Sequence, residues 1–409
     1  MPGDKSISHR ALMLAAVANG SSRLEGLLCG EDVQSTARVL RSCGVAIPSL
    51  QRQIVVPGCL PFRSPEHALD CGNSGTTARL MAGLLAGQPV EATLTGDESL
   101  SRRPMRRVAE PLRRMGAGIE FPAGGDTLPM RVRGAALRGH EFELATASAQ
   151  VKSAVLLAAL VGRVSVRVRE PSASRDHTER MLRAIGCGVE EGPNGIDFTP
   201  VDRLQPLDLD VPGDPSSAAF MVALGCLASE GSLRVSGISL NPTRTTFIDV
   251  LRRMGGDVAT RPGRSQLEPI GDVIATASAG LRGTTVAGSE VPGLIDEIPL
   301  LACLAARAEG ESIFRDAREL RIKESDRIAA TVANLRAIGV DADELDDGLV
   351  VVGSDRPLRG RIATHDDHRI AMAFGILGAL PGNAIEIDRP TCVAISYPDY
   401  WSDLARVTA

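Results

Sequence analysis

Apolar residues along the chain fall into two alternating kinds of run. One kind is rich in alanine and leucine and apolar on nearly every face. Six such runs end at Gly20, Gly87, Gly162, Gly231, Gly310 and near Gly382, where glycine can supply a left-handed helix cap. The other kind is amphipathic and closes with one phrase, Leu-Arg-x-x-Gly, at residues 40–44, 112–116, 182–186, 251–255 and 335–339. A degraded copy at residues 404–407 comes where the period of roughly 70 residues, longer than that of common solenoid repeats, calls for it. Short β-type runs follow the first kind of helix at 22–27, 90–94, 164–168, 232–235, 312–315 and 384–387, and others follow the phrase, as at 119–121 and 189–191.

Each repeat therefore predicts two helices and several strands, too little to bury its own apolar faces. The reading is an α+β chain with a sixfold pseudo-repeat, in two similar domains of three repeats each, 1–212 and 213–409. The stretch Val211-Pro212-Gly213 is the expected hinge. A length of 409 residues agrees with two cores.

Composition narrows the function. The formal net charge is −5 and aromatics make up 3%, which argues against generic nucleic-acid binding, so anions must be held by local clusters. The eight cysteines contain no C-x-x-C pair and read as buried thiols in a reducing compartment. The chain shows neither a membrane-length apolar run nor a cleavable leader, so the cytoplasm is expected.

Candidate chemistry gathers at the predicted helix starts. A helix N-terminus favours anions and tolerates cations badly, at about 0.3–1 kcal/mol each. Even so, Lys5 and Arg10, Arg103 (just before a proline, a favoured first helical residue), Arg175, Arg327 and Arg369 all stand at or near such starts. Gly75, in the small-residue segment Cys71-Gly72-Asn73-Ser74-Gly75, lets a ligand approach the backbone. The economical inference is that helix starts from both halves serve one highly anionic ligand set, with closure bringing the cations together when substrate compensates them. Lys323 and Arg327 lie about one helical turn apart beside Glu324 and Asp326, which can neutralise them or leave Glu324 free for proton transfer. His365-Asp366-Asp367-His368 has metal-like composition, but consecutive residues converge poorly on one ion, and no metal is expected.

The motifs PGDKSISHR (2–10), GNSGTTAR (72–79), RRPM (102–105), SAQVKSA (148–154), RDHTE (175–179), IDE (295–297), RIKESDR (321–327) and DHRIAMAF (367–374) run in order along the chain. Together they resemble the 3-phosphoshikimate 1-carboxyvinyltransferase (5-enolpyruvylshikimate-3-phosphate synthase) family. The RPM, ASAQVKSA and NPTR (241–244) wording is similar to its second bacterial class. The resemblance implies two domains of three βαβαββ units around buried helices, the inside-out α/β barrels of enolpyruvyl transferases. It also implies the reaction: the 5-hydroxyl of shikimate 3-phosphate adds to phosphoenolpyruvate, and the tetrahedral intermediate expels phosphate without cofactor or metal.

By the same resemblance, Lys5, Ser6, Arg10, Ser148, Ala149, Gln150 and Arg175 would hold shikimate 3-phosphate, with Asp296 and Lys323. Lys5, Gly75, Arg103, Gln150, Arg327 and Arg369 would hold phosphoenolpyruvate. Lys5, Asp296 and Glu324 would be catalytic, and which carboxyl handles which proton is left open. A monomer without nucleic-acid or membrane partners is implied, as is inhibition by glyphosate beside the bare Gly75, with Leu80 in the pocket wall. Relatives carry a segment ahead of PGDKS, so one interdomain crossing instead of two and an incomplete sixth repeat with an exposed edge are expected. A lysine that some relatives place near the C-terminus has no counterpart in Ala394-Ile395-Ser396-Tyr397, and Glu319 stands where they have asparagine. The nearest alternative, a UDP-N-acetylglucosamine enolpyruvyl transferase, would need a reactive cysteine in the loop 96–105, which has none. A non-catalytic phosphometabolite-binding protein on the same scaffold is the alternative from another class.

Overall fold

The computed structural model describes residues 1–192, 195–265 and 267–408. The chain divides into two compact units, Gly3–Val211 and a second made of Pro212–Ala409 with Met1–Pro2.

The recurring phrase is a helix stop, and its leucine, arginine and glycine each have a structural reason. Helices Glu31–Ser42, Arg106–Met115, His177–Ala184, Thr246–Arg253 and Arg327–Ala337 carry it. Gly44, Gly116, Gly186, Gly255 and Gly339 all have positive φ, between 89° and 113°, where a Cβ would be strained. Each glycine N–H bonds the arginine carbonyl three residues back, at 2.9–3.0 Å, and the next N–H bonds the leucine carbonyl at 2.8–3.1 Å. This is the Schellman pattern. The leucine is buried in all five copies. The arginine Nε reaches forward to a carbonyl six residues on: Arg113 to Ile119, Arg183 to Val189, Arg252 to Val258 and Arg336 to Ala342, each in the next strand, and Arg41 to Ile47 in the loop ahead of one, at 2.6–3.0 Å. The phrase thus ends a helix and, in four of the five copies, fastens the strand after it.

The glycines after the alanine-rich helices act differently from expectation. These helices are Lys5–Val17, Gly75–Ala86, Ala149–Gly162, Pro215–Leu227, Ile298–Ala305 and His368–Gly378. Only Gly87 directly follows its helix, and Gly162 is a last helical residue whose left-handed cap is Arg163. Gly20, Gly231, Gly310 and Gly382 lie beyond the helix ends with φ of +126°, +87°, +89° and +85°. There the chain reverses into the next strand, and the positive φ belongs to that reversal.

In the Gly3–Val211 unit, strand Leu69–Asp70 pairs parallel with Glu91–Thr95 across helix Gly75–Ala86, and Met130–Arg133 and Gly118–Glu120 continue antiparallel. Strands Glu141–Glu143, Val166–Arg169, Gly195–Thr199 and Gly188–Gly192 repeat that order. The first repeat takes its parallel strand from the far end of the unit: Asp208–Asp210 lies beside Ser21–Glu25, which pairs antiparallel with Gln53–Pro57.

In the other unit, Thr285–Val286, Glu311–Phe314, Gly348–Val352 and Asp341–Leu345 form the same sheet. Ser232–Ser239, Pro269–Thr276 and Asp257–Ser265 form an antiparallel one that a single parallel bridge, Gly213 to Ile238, extends. The last repeat has, among the described residues, the parallel pair Arg359–Ile362 and Ala384–Ile387 without the antiparallel hairpin. Helix Tyr400–Thr408 follows, and both tyrosines and the single tryptophan of the chain gather at its start. Tyr400 stacks edge-on against Phe220, Tyr397 and Trp401, and its hydroxyl donates to Met372 O at 2.7 Å.

Within each unit the alanine-rich helices are inside and the sheets outside. Residues 215–226 are buried on every side, whereas the strand Gln53–Pro57 alternates exposed and buried positions. Small residues let the inner helices touch. A Cβ on Gly83 would lie 2.2 Å from Ala154 O, and one on Gly87 would lie 2.7 Å from Gly162 N. Thr76 meets Gln150 at 3.0 Å. Matched contacts from first turn to last make helices Gly75–Ala86 and Ala149–Gly162 parallel, with their N-termini together.

Candidate active site

Parallel inner helices bring their electropositive starts to one end of the Gly3–Val211 unit. Asp4 caps helix Lys5–Val17 through Ile7 N, Ser74 caps helix Gly75–Ala86 through Thr77 N, and Ser148 caps helix Ala149–Gly162 through Val151 N. The predicted residues Lys5, Ser6, Gly75, Ala149 and Gln150 are thereby first-turn residues of these helices.

Arg10 is 3% exposed and crosses to the neighbouring helices. It donates to Thr178 Oγ1 at 2.7 Å, Ser153 Oγ at 2.7 Å and Ser6 O at 2.9 Å. These three oxygens orient the guanidinium. Lys5 pairs with Asp32 at 2.9 Å. Arg175 is half-buried and follows Ser174, which a buried network fixes. Ser174 Oγ donates to Glu170 Oε1 at 2.7 Å, and its carbonyl accepts from Lys152 Nζ at 3.4 Å. Lys152 itself lies 2.7 Å from both Glu170 and Glu179. Burial pushes the Glu179 carboxyl above the usual range despite Lys152. Burial also opposes the Lys152 charge, but Glu179 and Glu170 outweigh it and hold the ammonium on.

Beside Gly75 stand two more guanidiniums. Arg79 donates to Gln150 Oε1 at 2.7 Å, and Gln150 donates onward to Thr76. Arg103 donates to Asn73 Oδ1 at 2.8 Å and Ser99 Oγ at 3.1 Å. A Cβ on Gly75 would lie 2.7 Å from Arg79 Nη1 and 3.5 Å from Arg103 Nη1. Arg103 is not at a helix start as expected. It lies between helix Glu98–Ser101 and helix Arg106–Met115, because its bonds to Asn73 tie it to the turn ahead of Gly75 and the longer helix begins only past Met105.

In the other unit the helix starts are acidic and interlocked. Arg327, 1% exposed, is the hub. It contacts Asp367 Oδ2 at 2.8 Å, Glu324 Oε2 at 2.5 Å and Asp296 Oδ1 at 3.3 Å. Lys323 stands 3.5 Å from Asp296. Arg369 donates to Asp296 O at 2.9 Å and Glu297 Oε1 at 3.2 Å. Asp367 also caps helix His368–Gly378 through Arg369 N. Burial opposes ionisation of Asp367, but Arg327 prevails and holds its carboxyl below the usual range; the carboxylates likewise hold the Arg327 proton more firmly than normal. Asp326 caps its helix and pairs with Arg321 at 2.9 Å. The expectation that cations at these starts wait for a ligand to compensate them is therefore corrected for Arg327, which three carboxylates already surround.

The supporting residues Asp32, Arg79, Lys152, Glu170, Thr178, Glu179 and Asp367 carried no role in the sequence reading. Arg79, Lys152, Thr178, Glu179 and Asp367 lie inside quoted motifs, and the available signal was a polar or charged residue on the inward face of an apolar helix. In the stretch considered for a metal, Asp366 is ion-paired with Arg389 and Asp367 with Arg327. No helix among the described residues is long and apolar enough to cross a membrane.

A sequence model of the EPSP synthase (3-phosphoshikimate 1-carboxyvinyltransferase) family matches residues 1–404. A 3-phosphoshikimate 1-carboxyvinyltransferase of Chloroflexus aggregans is 46% identical, over 100% of this chain and 95% of its own length. One of Gloeobacter violaceus is 48% identical, over 99% and 95%. The crystal structure of EPSP synthase from Acinetobacter baumannii, 38% identical, superposes with a TM-score of 0.85 over 100% of this chain and 94% of that one. The enolpyruvyl transferase NikO of Streptomyces tendae, 20% identical with a TM-score of 0.76, shares the fold. Repeat architecture, ordered motifs and relatives thus agree that the chain belongs to the EPSP synthase family.

Proposed function

We propose that the chain is a 3-phosphoshikimate 1-carboxyvinyltransferase, moving the carboxyvinyl group of phosphoenolpyruvate to the 5-hydroxyl of shikimate 3-phosphate and releasing phosphate. The observation that carries the residue assignment is the convergence of helix starts with Lys5, Arg10, Arg79, Arg103 and Gln150 at one end of the Gly3–Val211 unit. Backbone N–H groups and guanidiniums there suit phosphate and carboxylate oxygens.

In this reading Lys5, Ser6, Arg10, Ser148, Ala149, Gln150 and Arg175 take shikimate 3-phosphate, with Asp296 and Lys323. Lys5, Gly75, Arg103, Gln150, Arg327 and Arg369 take phosphoenolpyruvate. Addition requires the hydroxyl to lose a proton as its oxygen bonds the central carbon and the methylene carbon to gain one. Elimination returns a proton from that methyl group as the C–O bond to phosphate breaks. Asp296 and Glu324 suit these transfers because they touch different nitrogens of Arg327, so one permanent cation steadies whichever carboxylate is ionised. Glu324→Gln is expected to lower turnover by at least about a hundredfold while leaving substrate affinity nearly unchanged; wild-type turnover would remove Glu324 from the chemistry.

The deciding experiment is phosphate release with both substrates against either alone and against UDP-N-acetylglucosamine with phosphoenolpyruvate. Release only with shikimate 3-phosphate and phosphoenolpyruvate together supports the reading, and binding without release would favour a non-catalytic protein. Glyphosate should compete with phosphoenolpyruvate beside Gly75. The reading also has the chain working as a cytoplasmic monomer without nucleic-acid or membrane partners, which light scattering of the purified protein checks for the oligomeric state.

A further inference from the structure

A buried chain of side chains joins helix Lys5–Val17 to the cap of helix Gly75–Ala86. His9 Nδ1 lies 2.7 Å from Thr36 Oγ1, Thr36 Oγ1 lies 2.7 Å from Thr77 Oγ1, and Thr77 Oγ1 donates to Ser74 Oγ at 2.8 Å. His9, Thr36 and Thr77 are fully buried and Ser74 is 1% exposed. Each hydroxyl has one proton. Because Thr77 spends its proton on Ser74, it must accept from Thr36, which must accept from His9. Nδ1 of His9 is then the protonated nitrogen, and it starts a one-way chain that ends on the residue capping Gly75.

We infer that His9 is a positioning residue for the phosphoenolpyruvate end of the site, holding the first turn of helix Gly75–Ala86 through Thr36, Thr77 and Ser74. The inference rests on the reading that Gly75 contacts phosphoenolpyruvate. His9 shares a helix with Lys5 and Arg10, but those residues are anchored separately: Lys5 by Asp32, Arg10 by Thr178 and Ser153. Losing the chain should therefore disturb one substrate more than the other. A second contact runs alongside it, where a Cβ on Gly72 would lie 3.0 Å from Ser35 Oγ. The glycine thus lets the turn ahead of Ser74 seat against the helix that bears Thr36. Burial, and then the charges of Lys5 and Arg10, hold the imidazole proton affinity well below its usual value. The ring accordingly stays neutral and adds no second cation.

The test is steady-state kinetics, with each substrate varied in turn, on the wild type, His9→Leu, His9→Asn and Thr36→Val. Asparagine places its amide nitrogen the same number of bonds from Cα as Nδ1 and can still donate to Thr36; leucine cannot. His9→Leu should raise KM for phosphoenolpyruvate about tenfold, the worth of one buried hydrogen bond. KM for shikimate 3-phosphate should stay within about twofold, and His9→Asn should recover most of the loss. Equal rises in both KM values, unchanged KM values, or no recovery with His9→Asn would overturn the inference. Should His9→Leu not fold, Thr36→Val removes the middle hydroxyl at nearly constant volume, and the same selective rise, or its absence, decides. A wild type that releases no phosphate with both substrates would remove the substrate reading and this inference together. An active wild type with unaltered variants would remove the inference alone.

Discussion

At the scale of single residues, the candidate site depends on charges that are buried but matched. Lys152 serves two carboxyls, and burial keeps Glu179 inclined to hold its proton. Lys152→Met would leave Glu170 and Glu179 facing each other and should cost about 3–5 kcal/mol of stability. Glu179→Gln leaves Lys152 its pair with Glu170 and should cost less, about 1–3 kcal/mol; urea unfolding of the two variants compares them. Asp367 behaves oppositely. Its carboxyl is held below the usual range, so its contribution is complete above the ordinary aspartate value of about 3.9 and fades as pH falls below it. The stability gap between wild type and Asp367→Asn should be about 3–5 kcal/mol at neutral pH and shrink below about pH 4, measured by unfolding at both. The placement of single charges was partly legible in sequence. Lys5, Arg10 and Glu324 stood out as charges at helix starts, whereas Asp32 and Thr178 did not, since their importance comes from partners far along the chain.

Among elements, the Leu-Arg-x-x-Gly helix stop was the most legible feature because its geometry is local. The glycine φ, two backbone bonds and the arginine reach all fall within a few residues. Gly339 has no neighbour within 4 Å of an added Cβ, so Gly339→Ala should cost only the strain of a left-handed backbone, about 1–2 kcal/mol. Gly339→Asn should cost less, because asparagine tolerates that conformation; thermal unfolding of both variants checks the order, and activity should stay unchanged. Gly20, Gly231, Gly310 and Gly382, after the inner helices, were misplaced, since a reversal into a strand needs the same φ as a cap. Arg103 was misplaced because proline two residues early looks the same in sequence whether the helix has begun or not.

Across the whole chain, repeat number and family were readable, because the repeat and the motifs are written in order. Not readable was how a sheet recruits a strand from a distant segment. The charged candidate residues of the Gly3–Val211 unit, Lys5, Arg10, Arg103 and Arg175, are all cationic, whereas in the other unit Lys323, Arg327 and Arg369 lie among Asp296 and Glu324. Raising ionic strength from about 0.05 M to 0.5 M should therefore raise KM for both anionic substrates, by less than exposed charges would give because Arg10 and Arg327 are buried. The strand Asp208–Asp210, bound beside Ser21–Glu25, has one more consequence. Hydrogen bonds from Leu207 N to Ser22 Oγ and Leu204 N to Asn19 Oδ1 each span 185 residues. On the ribosome, the strand pair Ser21–Glu25 and Gln53–Pro57 must wait with one margin bare until almost the whole unit has been synthesised, a delay that favours slow folding and a need for chaperones.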